Sequence, residues 1–428
     1  MINRLAIPAI LTGIAEPLIS LVDIAFIGRT GTTQLAAVGI ASGFYVMSVW
    51  ILAQSLTAIA AIVSRYYGKN KLNEIATLIP QALFANVILG IAFFFLTTYF
   101  STEIFQLYNA KGEVLDACNR YFSIRSIGFP FTLATLLLFG VFRGLQNTSW
   151  AMVIALSGAL INVVLDYILI FGIPGSIEAM GLEGAAYASL CAQIFMFIMA
   201  LIFLMWRTPF NLKLSLKINS QFKWLTSMSW DLFLRTVLLN ATFYLATRYA
   251  TGYGDEVVAA HTIALNIWLF SSFFIDGYAH AGNAIAGRLL GEGNDTGLYR
   301  LGIKIGKISF WIGSGLGLVY VFAYPVMARI FTTDPEVIFA FNTVFWLVIL
   351  TQPINALAFA FDGIYKGIGH TKFLRNLLAG ATVLGFIPIA VCFHYFYPSL
   401  LGIWIAFLIW MVIRGGWIVW DFRKRYRA

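Results

Sequence analysis

Twelve apolar runs, each long enough to cross a bilayer as a helix, follow one another along this 428-residue chain. They lie at about 5–27, 37–62, 78–100, 122–146, 151–173, 184–206, 224–250, 257–287, 303–328, 338–365, 374–396 and 399–420. A helix needs about 20 apolar residues to span the hydrocarbon core, and these runs are too long and continuous for the alternating strands of a barrel. Backbone groups in lipid must be satisfied within the segment, so runs of this kind become helices. Hydrophobic residues make up 60 % of the chain and charged residues 11 %, which removes a soluble globular fold. Turn signals separate the runs at Gly28–Gly31, Tyr67–Asn70, Ile173–Ser176 and Gly291–Asp295. The expected fold class is an all-α polytopic membrane protein with twelve transmembrane helices. No cleavable leader is expected, because the first apolar run is too long and lacks a small-residue cleavage site.

Charge fixes an orientation. If the N-terminus is cytoplasmic, that side holds Arg4, Arg65, Lys69, Lys71, Arg143, Arg207, Lys213, Lys217, Lys223, Arg288, Arg300, Lys304, Lys307, Lys366, Lys372, Arg375, Arg423, Lys424, Arg425 and Arg427. The opposite side holds Arg29, Lys111, Arg120, Arg125, Arg248 and Arg329, and Arg235 and Arg414 lie inside runs. A split of 20 against 6 obeys the positive-inside rule and would be scrambled by one missed helix. Both termini are therefore expected in the cytoplasm. The net charge of +9 follows from the same loops and implies no nucleic-acid partner.

The chain also repeats. When its second half is laid on its first without gaps, so that Gly31 falls on Gly254, Arg65 falls on Arg288 and Gly68 on Gly291. In the same register Pro130 falls on Pro353, Gly140 on Gly363, Gly144 on Gly367 and Thr148 on Thr371. Six helices per half give both halves one orientation, the parallel-repeat plan of secondary transporters. The expected organisation is an N-lobe at 1–206, a cytoplasmic linker at 207–223 and a C-lobe at 224–428 ending in a basic tail.

Six carboxylates sit inside the runs: Glu16, Asp23, Asp166, Asp231, Asp276 and Asp362. A charge at the centre of a membrane helix costs about 3 kcal/mol or more, so such groups usually face a cavity or a partner. Asn162 and Asp166 are four residues apart and share a helix face. An amide carbonyl and a carboxylate one turn apart make a partial cage for Na⁺, and Asp23 could complete it. The same carboxyls could carry protons, so H⁺ and Na⁺ both fit the set. Pro17 removes a backbone donor in the first helix and permits a bend, making it a hinge candidate beside Glu16. Asp231 and Arg235 are one turn apart, which suggests an intramembrane ion pair. Asp276, followed one turn later by His280, and Asp362 could line the C-lobe. His261, His370 and His394 read as satisfied or interfacial. Tyr45, Trp50, Trp268 and Tyr278 could stack on an organic cargo.

Several stretches in chain order resemble the multidrug and toxic compound extrusion (MATE) family. Pro17–Gly28 followed by Gln34-Leu35-Ala36-Ala37 looks like its first helix. Phe142–Thr148, Leu160–Asp166 with Ile170-Phe171-Gly172, Gly184-Ala185-Ala186, Asp231–Arg235, Asp276–Ala279 and Phe361-Asp362-Gly363 resemble the DinF-like branch more narrowly. The resemblance implies two six-helix lobes and export of organic compounds by inward H⁺ or Na⁺ flow, with no cofactor. It implies a cation site at Asp23, Asn162, Asp166 and a hydroxyl on the sixth helix. That hydroxyl would be Ser189, where the family pattern leads one to expect Thr.

The leading function is a cation-coupled antiporter of the bacterial inner membrane working by alternating access. Its cargo would be a small organic compound, neutral or cationic because in-span carboxylates outnumber in-span basic residues. Two lobes of one chain suffice for a cleft, so a monomer is the expected working unit in the lipid bilayer. A lipid-linked oligosaccharide flippase of the broader superfamily is the alternative. No G-x-x-x-x-G-K-[ST], H-E-x-x-H or G-x-S-x-G motif is present, and neither ATP drive nor an enzyme is expected. Cys118, Cys191 and Cys392 lack metal or redox spacing.

Overall fold

A computed structural model describes residues 1–29 and 31–427, apart from the side chains of residues 15–18, 20 and 21. The expectations for Glu16 and Pro17 therefore lie outside the described residues. Twelve long helices account for the apolar runs: α1 (Ile2–Ile27), α2 (Thr32–Gly68), α3 (Leu72–Tyr99), α4 (Gly112–Gly144), α5 (Ser149–Phe171) and α6 (Gly181–Arg207), then α7 (Phe222–Thr251), α8 (Asp255–Gly291), α9 (Asp295–Ile330), α10 (Pro335–Gly367), α11 (Thr371–Phe396) and α12 (Leu400–Tyr426). Ten of them, α2–α6 and α8–α12, are apolar enough to cross a membrane by length and composition. The remaining two, α1 and α7, are 26 and 30 residues long and carry the charged residues Asp23, Asp231 and Arg235. Among the described residues the only strand-like pairing is the bridge between Ile173 and Ile177 in the α5–α6 turn.

The chain forms two compact units, Leu11–Thr226 and Met1–Ile10 with Ser227–Ala428. In the first, Tyr45, Phe105, Tyr121, Phe122 and Phe129 pack the core. In the second, Trp268, Phe386, Trp404, Phe407 and Trp410 do so. The segment expected as a linker is tied to α3 within the first unit. Gln81 Nε2 donates to the carbonyls of Ser215 (2.9 Å) and Lys217 (2.8 Å), and Asn219 Nδ2 to that of Glu74 (3.0 Å).

The internal repeat appears in atomic contacts. A Cβ built on Gly140 would stand 2.3 Å from the Leu56 carbonyl oxygen, and one on Gly363 would stand 2.1 Å from that of Ala279. One turn on, Gly144 would meet the Ala60 carbonyl at 2.9 Å and Gly367 that of Asn283 at 2.2 Å. The neighbours are matched too, because the register that sets Gly140 on Gly363 also sets Leu56 on Ala279 and Ala60 on Asn283. Each half thus uses glycines four apart to bring two backbones together, the small-residue packing that membrane helices rely on where lipid removes the hydrophobic drive. The polar contacts follow the same register. Tyr45 Oη meets Thr132 Oγ1 at 2.9 Å. At the matching positions of the second half, Trp268 Nε1 donates to the Asn355 amide in the orientation that satisfies both groups.

Because the Gly363 neighbour is backbone, it cannot swing aside. Gly363→Val should destabilise the protein by about 1–3 kcal/mol, the usual cost of overpacking, and lower its unfolding temperature in detergent. Gly416→Ala on α12, where a Cβ meets nothing within 4 Å, should leave that temperature unchanged or raised.

Candidate functional site

The site forms where α1, α4, α5 and α6 converge in the Leu11–Thr226 unit. Small residues place it. A Cβ on Gly184 would lie 2.5 Å from the Leu169 carbonyl, so α6 begins pressed against the end of α5. Gly158 on α5 likewise leaves room for the Met196 side chain of α6. These approaches carry Ser189 to Asn162, whose Nδ2 lies 3.4 Å from Ser189 Oγ.

Asp23, Asn162 and Asp166 come together, joined by Ser189, the hydroxyl that the family resemblance implied, and all four are buried. Three groups donate to the Asp23 carboxylate: Ser189 Oγ at 3.0 Å, Tyr121 Oη at 3.4 Å and Asn162 Nδ2 at 3.4 Å. Tyr121 is itself steadied by Ser42 Oγ at 3.0 Å. Asp166 is placed very differently. Its carboxyl lies within hydrogen-bonding reach of Asp23, yet neither of its oxygens meets a donor among the described residues. The two observations agree once the chemistry is counted: two carboxylates cannot bond each other unless one carries a proton. Asn162 Oδ1 is a third acceptor without a donor among those residues. The site therefore has a surplus of buried acceptor oxygens, and a cation or a proton is what such a surplus binds.

One neighbour escaped the sequence reading. Arg125 was counted on the outer side, but it lies within α4 and is only 5 % exposed. Its guanidinium stacks 3.9 Å over the Tyr45 ring, and its charge acts on both Asp23 and Asp166. The available signal was its place inside the 122–146 run; counting by side obscured it. Just after it, the helix tightens at Ser126–Gly128, where a Gly128 Cβ would collide with Gln193 Oε1. That freedom lets Tyr45 Oη donate to Gln193 at 3.3 Å. Arg125, Gln193 and Ser189 border a cavity of about 60 Å³ that Thr12 and Phe139 also line. Such a space holds a water or two, far below the hundreds of Å³ a drug-sized molecule fills.

In the other unit the expected pairing of Asp231 with Arg235 is not formed. Asp231 takes Arg375 at 2.6 Å and the Thr371 hydroxyl at 3.1 Å, both from the start of α11. Arg235 reaches Asp362 on α10 at 2.7 Å, and Lys366 takes the other Asp362 oxygen at 2.7 Å. The reason is energetic: a same-helix pair is worth only about 0.2–0.5 kcal/mol, whereas buried charge-assisted bonds between helices satisfy both groups. Asp362, expected to line the lobe for cargo or protons, is thus already committed to two cations. Asp276 and His280 stand one turn apart on α8, both half-buried. Gly277 between them packs against the Ala6 carbonyl of α1. His394 is satisfied as expected, its Nδ1 lying 3.0 Å from Tyr253 Oη. His261 is not: it is fully buried against Trp404 and Phe407, and neither ring nitrogen has a hydrogen bond among the described residues, because aromatic walls offer no acceptor there. Asp421 on α12 was overlooked; it accepts from Tyr365 Oη at 2.5 Å and from Arg425 at 2.6 Å.

Comparison with known proteins agrees with this architecture. The MatE family model matches residues 8–168 and again 232–391, the two halves of the repeat. The chain is 27 % identical to Protein DETOXIFICATION 43 of Arabidopsis thaliana, covering 96 % of this chain and 88 % of that protein. It is 25 % identical to the DNA damage-inducible protein F of Escherichia coli (strain K12), over 99 % of this chain and 92 % of that one. The crystal structure of the Vibrio cholerae MATE transporter VcmN in the bent form superposes with a TM-score of 0.90 at 20 % identity, covering 100 % of this chain and 96 % of that one. Two matches to one family model, the twelve helices and the two-unit build together mean that this chain belongs to the MATE family of multidrug and toxic compound efflux transporters, and is a transporter rather than an enzyme.

Proposed function

We propose that the protein is an H⁺-coupled antiporter that exports small organic compounds by alternating access, with Asp23 and Asp166 as the coupling pair. The observation that carries this reading is the contrast within the pair: Asp23 is ringed by three donors, while Asp166 has none among the described residues and faces Asp23. A carboxylate with three donors is stable as an anion, and a carboxyl beside it with no donors is the natural place for a proton. The pair then holds one proton between them, and its titration belongs to the pair. Proton entry removes one of two negative charges next to Arg125 and so changes the force on α4. That change is the lever by which ion binding reshapes the unit. Asn162 orients Asp23 through its amide nitrogen, and Ser189 supplies the hydroxyl that Thr provides in the family pattern.

Na⁺ coupling is the second reading, and one observation favours it. Asn162 Oδ1 and both Asp166 oxygens are acceptors without donors among the described residues, and a hard cation prefers several oxygens. The remainder of the reading follows the charge distribution: both termini cytoplasmic, the protein in the plasma membrane of its cell, and a monomer as the working unit.

Proteoliposomes loaded with a fluorescent organic dye separate the two ions. With a pH gradient imposed alone, the wild type should move dye, and a Na⁺ gradient alone should not. Asp166→Asn should reduce pH-driven movement by about tenfold or more, because the amide cannot take up the proton. Movement driven only by Na⁺ would replace the first reading by the second. Full pH-driven movement in Asp166→Asn would remove the pair from coupling.

Ser189→Ala tests the donor ring. It deletes the shortest bond to Asp23, at 3.0 Å, and should shift the pH midpoint of dye transport upward. The sign follows from linkage: the hydroxyl stabilises the ionised carboxylate, so its loss lets the pair hold its proton to higher pH. A midpoint unmoved or shifted downward would place Ser189 outside the proton site.

A further inference from the structure

The two units treat one helix face in opposite ways. In the first unit, the polar face at the start of α3 is covered by the chain itself. Gln81 Nε2 donates to the carbonyls of Ser215 and Lys217, and Gln81 Oε1 accepts from the Asn219 backbone N–H at 3.0 Å. Asn219 Nδ2 donates to Thr77 Oγ1 at 2.9 Å. Under this cover Gln81 is only 8 % exposed. In the register that sets Gly140 on Gly363, Thr77 falls on Arg300, Gln81 on Lys304 and Phe84 on Lys307, all on α9. These three cations are exposed, and their side chains form no ion pair among the described residues. Of the acids just before them, Glu292 is taken by Arg288 at 3.0 Å, and Asp295 at the first residue of α9 is the one carboxylate on that helix. Three cations thus stand where the other half of the repeat holds a covering segment.

The face is an open groove of about 400 Å³, lined by Tyr299, Arg300, Ile303, Lys304, Lys307 and Ile308. The packed face of α9 holds it in place. Gly302 leaves room for the Phe422 ring of α12, and Tyr299 stacks on that ring with centroids 6.3 Å apart. Arg300, Lys304 and Lys307 are four and three residues apart, so they project from one side of the helix. Trp311, Leu318 and Phe322 continue the same stripe and are 72 %, 57 % and 77 % exposed. Depth agrees with this division. From Ile308 to Ala328 the helix carries no charge and, at 1.5 Å per residue, runs about 30 Å, the thickness of the hydrocarbon core. Lys307 therefore stands at the hydrocarbon edge, with Lys304 and Arg300 about 5 and 10 Å beyond it, in the headgroup zone.

We infer that this groove holds the headgroup of an anionic phospholipid, from the cytoplasmic leaflet on the proposed orientation, with its phosphate between Lys304 and Lys307 and an acyl chain along Trp311 and Leu318. In the first half, donors on Gln81 meet backbone carbonyls; in the second, ammonium groups meet phosphate oxygens, the stronger charge-assisted version of the same exchange. Basic residues at the edge of a membrane helix attract anionic lipid, and here three of them share one groove. A free phosphate would use the cations and leave the apolar stripe idle. An acidic protein segment would end at the headgroup level, short of Trp311. A phospholipid matches both parts of the face. The lipid site goes beyond the exporter reading and stands whether or not that reading holds.

Native mass spectrometry of the full-length protein tests this directly. The protein is released from detergent micelles that hold equal amounts of phosphatidylglycerol and phosphatidylcholine with identical acyl chains, and the retained lipid is counted. The wild type should retain phosphatidylglycerol with about tenfold preference. Lys304→Gln with Lys307→Gln should cut that preference about fivefold or more. Lys213→Gln with Lys217→Gln, which removes the same charge from the exposed 207–223 segment, should leave it unchanged. Lys307→Gln alone should lower the preference about threefold, and it decides the matter if the pair of changes at 304 and 307 does not fold. Equal retention of the two lipids, an equal loss in both double variants, or displacement of the bound lipid by millimolar inorganic phosphate would overturn the inference. The first result leaves the face to a protein segment, the second to diffuse attraction and the third to a free anion.

Discussion

The constraint on which the site depends is the low dielectric around two carboxyls that touch. In water, Asp23 and Asp166 would both ionise and repel weakly. In the buried junction of α1, α4, α5 and α6, each negative charge must be met by donors or neutralised. The protein meets this demand unequally. Ser189, Tyr121 and Asn162 are all spent on Asp23, and no donor among the described residues is supplied to Asp166. An equal distribution would have made two structural carboxylates. The unequal one leaves Asp166 as the position at which a positive charge would gain most, with the Arg125 guanidinium acting on both carboxyls.

The two units build a common backbone plan and fill it with opposite polarity. Glycines at 140 and 144, and again at 363 and 367, press one helix against its neighbour at matching carbonyls. On this shared frame the first unit carries a surplus of acceptor oxygens at Asp166 and Asn162. The second carries a surplus of guanidinium and ammonium donors around Asp362. Where the repeat register matches Asp23 and Asp166, the second unit has Ala246 and Ile389, so the acid pair is absent from the repeat.

Much of this could be read from the chain. Helix number followed from apolar runs, because lipid permits few alternatives for a spanning backbone. The repeat was visible in Gly and Pro, residues whose backbone roles tolerate no exchange, and those same glycines make the closest contacts. Asp23, Asn162 and Asp166 stood out because a polar residue in such a run needs a reason, whereas Ser189 came only from the family resemblance. Partner choice was not legible. Asp231 and Arg235 are correctly spaced for an ion pair, but Arg375 and Asp362, which take them instead, come from the distant helices α11 and α10. Arg125 was missed for a related reason: whether a residue near a helix end lies in a loop or in a core depends on how α4 continues through its tightened turn.

The proposed coupling turns on one proton held by the Asp23–Asp166 pair at Asp166. Infrared difference spectroscopy of the protein in lipid, recorded as the pH is lowered in the absence of cargo and of Na⁺, observes that proton directly. With the proton on Asp166, the band of a protonated, buried carboxyl should grow on acidification, shift in deuterated buffer and disappear in Asp166→Asn. The same band at full strength in Asp166→Asn, or no carboxyl band over the pH range in which transport operates, would contradict it.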